Sequence, residues 1–123
     1  MFFLFSCKEP VGEEFAGKWE AGDGAVIVLN EDSTCIVRNL DPAKIRVSKN
    51  DSATKERING AGKWELIRPN KYSGHYCIYI DSNKGGFPLC VMGTGLTGYF
   101  RPWKLCIYIG DPDDMNLYEF YKK

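Results

Sequence analysis

The sequence predicts an all-β fold, an antiparallel up-and-down β-barrel of about eight strands, and three observations lead there. Short apolar runs rich in Val, Ile, Tyr and Trp recur from residue 15 to the C-terminus, separated by clusters of Gly, Asn, Asp and Pro. Within several of these runs apolar and polar residues alternate, the period of a strand with one buried face. No window keeps a helical period over the length a helix needs. Consecutive strands joined by short turns form a meander, and closing a meander into a barrel removes the exposed edges that would otherwise pair with another chain.

The elements follow in order. Residues 17–21 (GKWEA) open the domain and lead through the turn residues Gly22, Asp23 and Gly24 to the β-branched run 25–29 (AVIVL). Residues 30–33 (NEDS) turn the chain into 34–38 (TCIVR), completing a hairpin. Residues 41–60 are the least patterned stretch: 44–48 (KIRVS) alternate as a charged edge strand would, and 50–59 read as an exposed loop. Residues 63–67 (KWELI) place Trp64 and Leu66 on one face, and Pro69, Asn70 and Gly74 punctuate the next turn. The runs 75–80 (HYCIYI) and 88–92 (PLCVM) flank a turn at 81–86. In 103–109 (WKLCIYI), Trp103, Leu105, Ile107 and Ile109 face one way, and the turn 110–114 (GDPDD) precedes the closing strand 116–121.

Composition bounds the function. At 123 residues the chain is one domain, and 44% hydrophobic residues supply a full core. Sixteen basic residues are balanced by sixteen acidic ones, so the basic excess of a nucleic-acid binder is absent. The nearest basic cluster, Lys44, Arg46, Lys49, Lys55 and Arg57, is diluted by Asp41, Asp51 and Glu56 and reads as a solvated loop.

The N-terminus carries a separate signal. Residues 1–6 (MFFLFS) are apolar and end at Cys7, after which 8–14 (KEPVGEE) are polar. Leu4, Phe5, Ser6 and Cys7 resemble the lipobox of bacterial lipoproteins, in which the bond before the cysteine is cut and the thiol carries lipid. The apolar core is short and has no basic residue ahead of it, so 1–6 are read as the remnant of a signal peptide. The expected organisation is then 1–6 as that remnant, 7–14 as anchor cysteine and flexible tether, and 15–123 as the barrel.

Ala16, Gly17, Lys18, Trp19 and Glu20 recur as Ala61, Gly62, Lys63, Trp64 and Glu65. In each copy the glycine permits close backbone approach and the tryptophan points inward. The first copy, with Phe15 ahead of it, resembles the first-strand motif of lipocalins, in which phenylalanine, glycine and tryptophan at alternate positions lead into the barrel. Avidins and fatty-acid-binding proteins share that architecture. The resemblance covers about seven residues and implies the barrel, with Gly17 and Trp19 starting and plugging it. It implies no particular ligand.

The chemistry-bearing residues point away from catalysis. His75 is the one histidine, and no serine or cysteine stands in a nucleophile motif beside it. Asp111, Asp113 and Asp114 lack the length and distal glutamate of a calcium loop. Residues 93–98 (GTGLTG) lack the lysine and following helix of a phosphate cradle. No cofactor, metal or enzymatic activity is expected. With Cys7 set aside for lipid, Cys35, Cys77, Cys90 and Cys106 remain, either as two disulfides of an oxidising compartment or as unpaired thiols. Four cysteines allow three connectivities, and outward alternation of Cys77 and Cys106 makes them the first pair to consider. The expected role is a cell-envelope lipoprotein, facing the periplasm or the cell surface, whose barrel engages another protein in the manner of an immunity or inhibitor protein. The alternative is a lipocalin-like carrier of a small apolar ligand.

Overall fold

The computed structural model describes residues 12–45, 56–69, 76–94, 100–109 and 116–123. Eight strands are present: β1 (Gly17–Ala21), β2 (Val26–Leu29), β3 (Thr34–Leu40), β4 (Ile58–Ile67), β5 (Cys77–Ser82), β6 (Gly85–Thr94), β7 (Phe100–Tyr108) and β8 (Leu117–Lys122). Each pairs antiparallel with the next, and β8 returns to β1 through Trp19 opposite Lys122, so the sheet closes in the order β1 to β8. The predicted antiparallel up-and-down barrel is therefore the fold.

The interior is made by alternation. Ile27, Val37, Leu40, Ile78, Ile80, Leu89, Leu105 and Phe120 are all wholly inaccessible to solvent. A side chain lining a void large enough for water would show accessible surface, so these residues pack against one another with no water-sized gap. The barrel is filled by its own side chains, as small barrels commonly are.

The two ends differ. A 3-10 turn, Gly12–Phe15, docks under the end where β1 begins. There the Phe15 ring stacks on Trp19 at 6.3 Å between centroids and lies 6.5 Å from Trp103. The Trp19 indole N–H donates to the Phe15 carbonyl at 2.8 Å, the Trp64 indole to Asn30 O at 2.9 Å and the Trp103 indole to Glu14 Oε1 at 3.2 Å. Three tryptophans thus close one end, each burying its rings while its polar N–H finds a partner. Gly12, Glu13 and Glu14, expected to belong to the tether, are part of this docked turn.

Several boundaries moved. Strand β4 starts at Ile58 rather than Lys63, running through residues assigned to the loop. Its Gly60 and Gly62 hide the strand from a pattern search, and Gly62 is required: a Cβ there would overlap the Asp81 carbonyl oxygen and lie 2.7 Å from Ser82 Cα. The β5–β6 turn is only Asn83 and Lys84, with Ser82 Oγ donating to Gly85 O at 2.8 Å. The edge strand expected at 44–48 does not begin as one. Lys44 closes a turn on Asp41 O, Ile45 is buried in the core, and 46–48 lie outside the described residues. The repeated AGKWE segments fall on β1 and β4, three strands apart, whereas duplication of a four-stranded half would place them four apart. The repeat is a shared local device, not a halved barrel.

Candidate functional site

The end of the barrel opposite the tryptophans carries the β1–β2 turn, the long β3–β4 connection, the Asn83–Lys84 turn and the β7–β8 connection. Its organising residue is Asp23. A turn aspartate bonds its own backbone, and the Ala25 N–H donates to Asp23 Oδ1 at 3.1 Å. The same carboxylate accepts from Tyr118 Oη at 2.9 and 3.1 Å, from Lys44 Nζ at 3.3 Å and from Arg57 Nη1 at 3.2 Å. Lys44 also sits 4.8 Å over the Tyr118 ring, a cation–π contact. Arg57 donates as well to Asn39 O at 3.2 Å.

This clasp holds both roots of the β3–β4 connection. Lys44 belongs to its beginning and Arg57 to its end, and both converge on a carboxylate from a different turn. A bulge in β3 helps: the register against β4 shifts between Val37 and Leu40, where Asn39 adopts φ 60°. The bend turns Leu40 into the core and frees Asn39 N–H to donate to Asn59 Oδ1 at 3.0 Å.

Burial alone would push the Asp23 carboxyl up, but the hydrogen bonds from Ala25, Tyr118, Arg57 and Lys44 outweigh it and hold it below its ordinary value. A carboxyl lowered in the folded state contributes stability that is complete above the unfolded value near 3.8 and disappears as pH falls through the folded value. Asp23→Asn is therefore expected to flatten the acid limb of the stability curve below about pH 4, measured by urea denaturation across pH. Tyr118→Phe removes the neutral side-chain donor that reaches both oxygens of that carboxylate and is expected to lower stability by about 1–2 kcal/mol, without changing the interior packing.

Beside the clasp lies a concavity of about 650 Å³. Ala43, Lys44 and Ile45 form one wall, Phe87 and Pro88 of β6 a second, and Ile107, Tyr108 and Ile109 a third. The sequence accounts for its position. The β6–β7 ladder ends at Cys90 opposite Cys106. Two residues beyond it Pro88 has no N–H to continue the ladder. Among the described residues its walls are mostly apolar side chains, and Lys44 is the cation at its rim.

No family model, curated protein or solved structure matches this chain. The lipocalin resemblance thus stands on the residues around Gly17 and Trp19 and on the architecture. Gly17 has φ 137°, a conformation that favours glycine, and Trp19 is 1% exposed beneath the core.

The other residues singled out from sequence are distributed as follows. Cys7, His75, Asp111, Asp113 and Asp114 lie outside the described residues, as do 95–98 of the glycine-rich stretch. Cys35 points into the core between Leu29 and Gly62. Cys77, Cys90 and Cys106 stand in one row on the outer face, and all four are thiols. Cys77 and Cys106 are not neighbours, because β6 runs between them. Among the described residues no cluster of His, Cys, Asp or Glu is arranged to hold a metal, and no helix is long and apolar enough to cross a membrane. Sequence reasoning missed Asp23 and Tyr118, whose partners come from four separate segments. It also missed Pro88, whose effect depends on which neighbour its ring faces.

Proposed function

We propose that this chain is a cell-envelope lipoprotein, tethered to a membrane through Cys7, whose barrel is a non-catalytic module that engages another protein with the end carrying the Asp23 clasp. The observation that carries the reading is the contrast between the two ends. The docked turn Gly12–Phe15 brings the N-terminal segment to the tryptophan end. A tether at Cys7 therefore enters from that side and leaves the opposite end facing away from the membrane. That opposite end holds the longest connection, rooted on a rigid frame, which is where binding residues concentrate. The packed interior supports the same reading, since the described core side chains leave no water-sized gap among them and the barrel offers partners its surface.

Two measurements test it. Mass spectrometry of the protein from its native host is expected to show a mature chain beginning at lipid-modified Cys7. A chain still beginning at Met1 with an unmodified thiol contradicts the anchor. For the binding end, Ala43→Glu places a charge on an exposed position of the cleft wall. It is expected to weaken partner retention at least tenfold while thermal stability stays unchanged, and Glu31→Lys at the tryptophan end is expected to leave retention intact.

The cleft itself favours a second reading, a carrier that holds a small apolar ligand at the rim rather than along the axis. Its volume is of the size that encloses small molecules. Saturable binding of an environment-sensitive apolar dye, abolished by Ala43→Trp, would select that reading, and the absence of saturable binding would remove it.

A further inference from the structure

Cys77 and Cys90 are directly opposite across β5 and β6, and Cys90 and Cys106 directly opposite across β6 and β7. These two relationships are not equivalent. The Val91 N–H donates to Tyr76 O at 3.0 Å, and residues 76 and 91 face each other in the same register. In an antiparallel ladder hydrogen-bonded and non-hydrogen-bonded pairs alternate, so Cys77 and Cys90 occupy a non-hydrogen-bonded pair. There the Cα atoms approach to about 4.5 Å and the side chains lean together. The Cys90 backbone groups then point toward β7, which makes Cys90 and Cys106 a hydrogen-bonded pair with Cα atoms about 5.5 Å apart.

The thiols follow the same division. The Cys90 thiol is pushed above its ordinary value, first by burial and then by the Cys77 thiol beside it. Cys106 is turned elsewhere: its Sγ lies 3.3 Å from Met92 Sδ and 3.8 Å from Cys90 O, and the residue is fully buried although it sits on the outer face. Burial pushes the Cys106 thiol up to about 12, further than it pushes Cys90, which disfavours the Cys106 thiolate near neutrality. Among the described residues no group of His, Cys, Asp or Glu, this row included, is placed to hold a metal ion.

We propose that Cys77 and Cys90 form a dithiol–disulfide site on the outer wall of the barrel, with Cys106 excluded from it. The oxidant is a disulfide of a small thiol or of a thiol-oxidising protein. The Cys77 thiolate attacks one sulfur of that disulfide, joining to it and expelling the first thiolate. The Cys90 thiolate then attacks the Cys77 sulfur, forming the intrachain bond and expelling the second. Two cysteine thiols lose two protons and two electrons, and one disulfide becomes two thiols. The site stands independently of the membrane anchor and of the binding end, since neither enters the geometry.

Peptide mapping reads it directly, because trypsin separates the three cysteines into 72–84, 85–104 and 105–122, the bond before Pro102 being resistant. The folded protein is incubated with glutathione disulfide, remaining thiols are alkylated, and the digest is run without reductant. The expected product links 72–84 to 85–104, consumes two thiols, and raises the melting temperature by several degrees relative to the reduced protein. Cys106→Ser is expected to form the same link, and Cys90→Ser to form none. A link from 105–122 to either other peptide, or no loss of thiols in the folded protein, overturns the proposal.

Discussion

Replacing Gly62 by alanine is expected to lower stability by more than about 3 kcal/mol, because a single methyl group must occupy space held by backbone. The added Cβ overlaps the Asp81 carbonyl oxygen and crowds Ser82 Cα, and backbone cannot rotate aside as a side chain would. Relief requires β4 and β5 to separate where Gly62 faces Ser82, with hydrogen bonds lost on that side of the sheet. Gly22→Ala is the internal control. Nothing lies within 4 Å of a Cβ at Gly22, so that variant is expected to match the parent or gain about 0.4–1 kcal/mol through a stiffer unfolded chain. Urea denaturation followed by tryptophan fluorescence distinguishes the two. Equal stability of the Gly62 and Gly22 variants would mean that β4 and β5 do not approach as closely as the structure has them.

The second large effect is expected at Trp19. Trp19→Ala empties the largest of the fully buried side-chain sites and is expected to lower stability by about 3–5 kcal/mol. It also removes the stacking partner of Phe15 and the donor to its carbonyl, two of the contacts that dock the Gly12–Phe15 turn. Amide exchange at residues 12–15 is therefore expected to accelerate in Trp19→Ala by more than global destabilisation accounts for. In Trp19→Phe, which keeps a ring beside Phe15 but no indole N–H, a smaller acceleration is expected. Uniform exchange across the chain in both variants would show that the turn docks through other contacts.

Much of this architecture was legible because alternation and turn chemistry act locally. Trp19, Trp64, Leu105 and Phe120 can be placed inward from their neighbours alone, and the repeated glycine before tryptophan announced close backbone contact at Gly62. Other features depend on distances along the chain that local patterns do not encode. Ile58 begins β4 because glycines at 60 and 62 let β3 and β5 close around a segment with little side-chain signature. The Asp23 clasp gathers Lys44, Arg57 and Tyr118 across a separation of up to 95 residues, and only closure of β8 onto β1 brings them together. The cysteine row was partly within reach. A hairpin centred between Asn83 and Lys84 puts residue 77 opposite residue 90, so the turn already carried that register. The alignment of Cys106 with Cys90 depends on a register shift between Met92 and Thr94, which no turn motif announced.

The proposed orientation puts the Asp23 end of the barrel toward its partner and the tryptophan end toward the membrane. Site-specific photo-crosslinking in membranes of the native host tests it most directly, with the probe at exposed Ala43 of the cleft or at exposed Glu31 of the tryptophan end. A discrete protein adduct is expected from position 43, competed away by added purified barrel, and none from position 31. An adduct from position 31 with none from position 43 would contradict it.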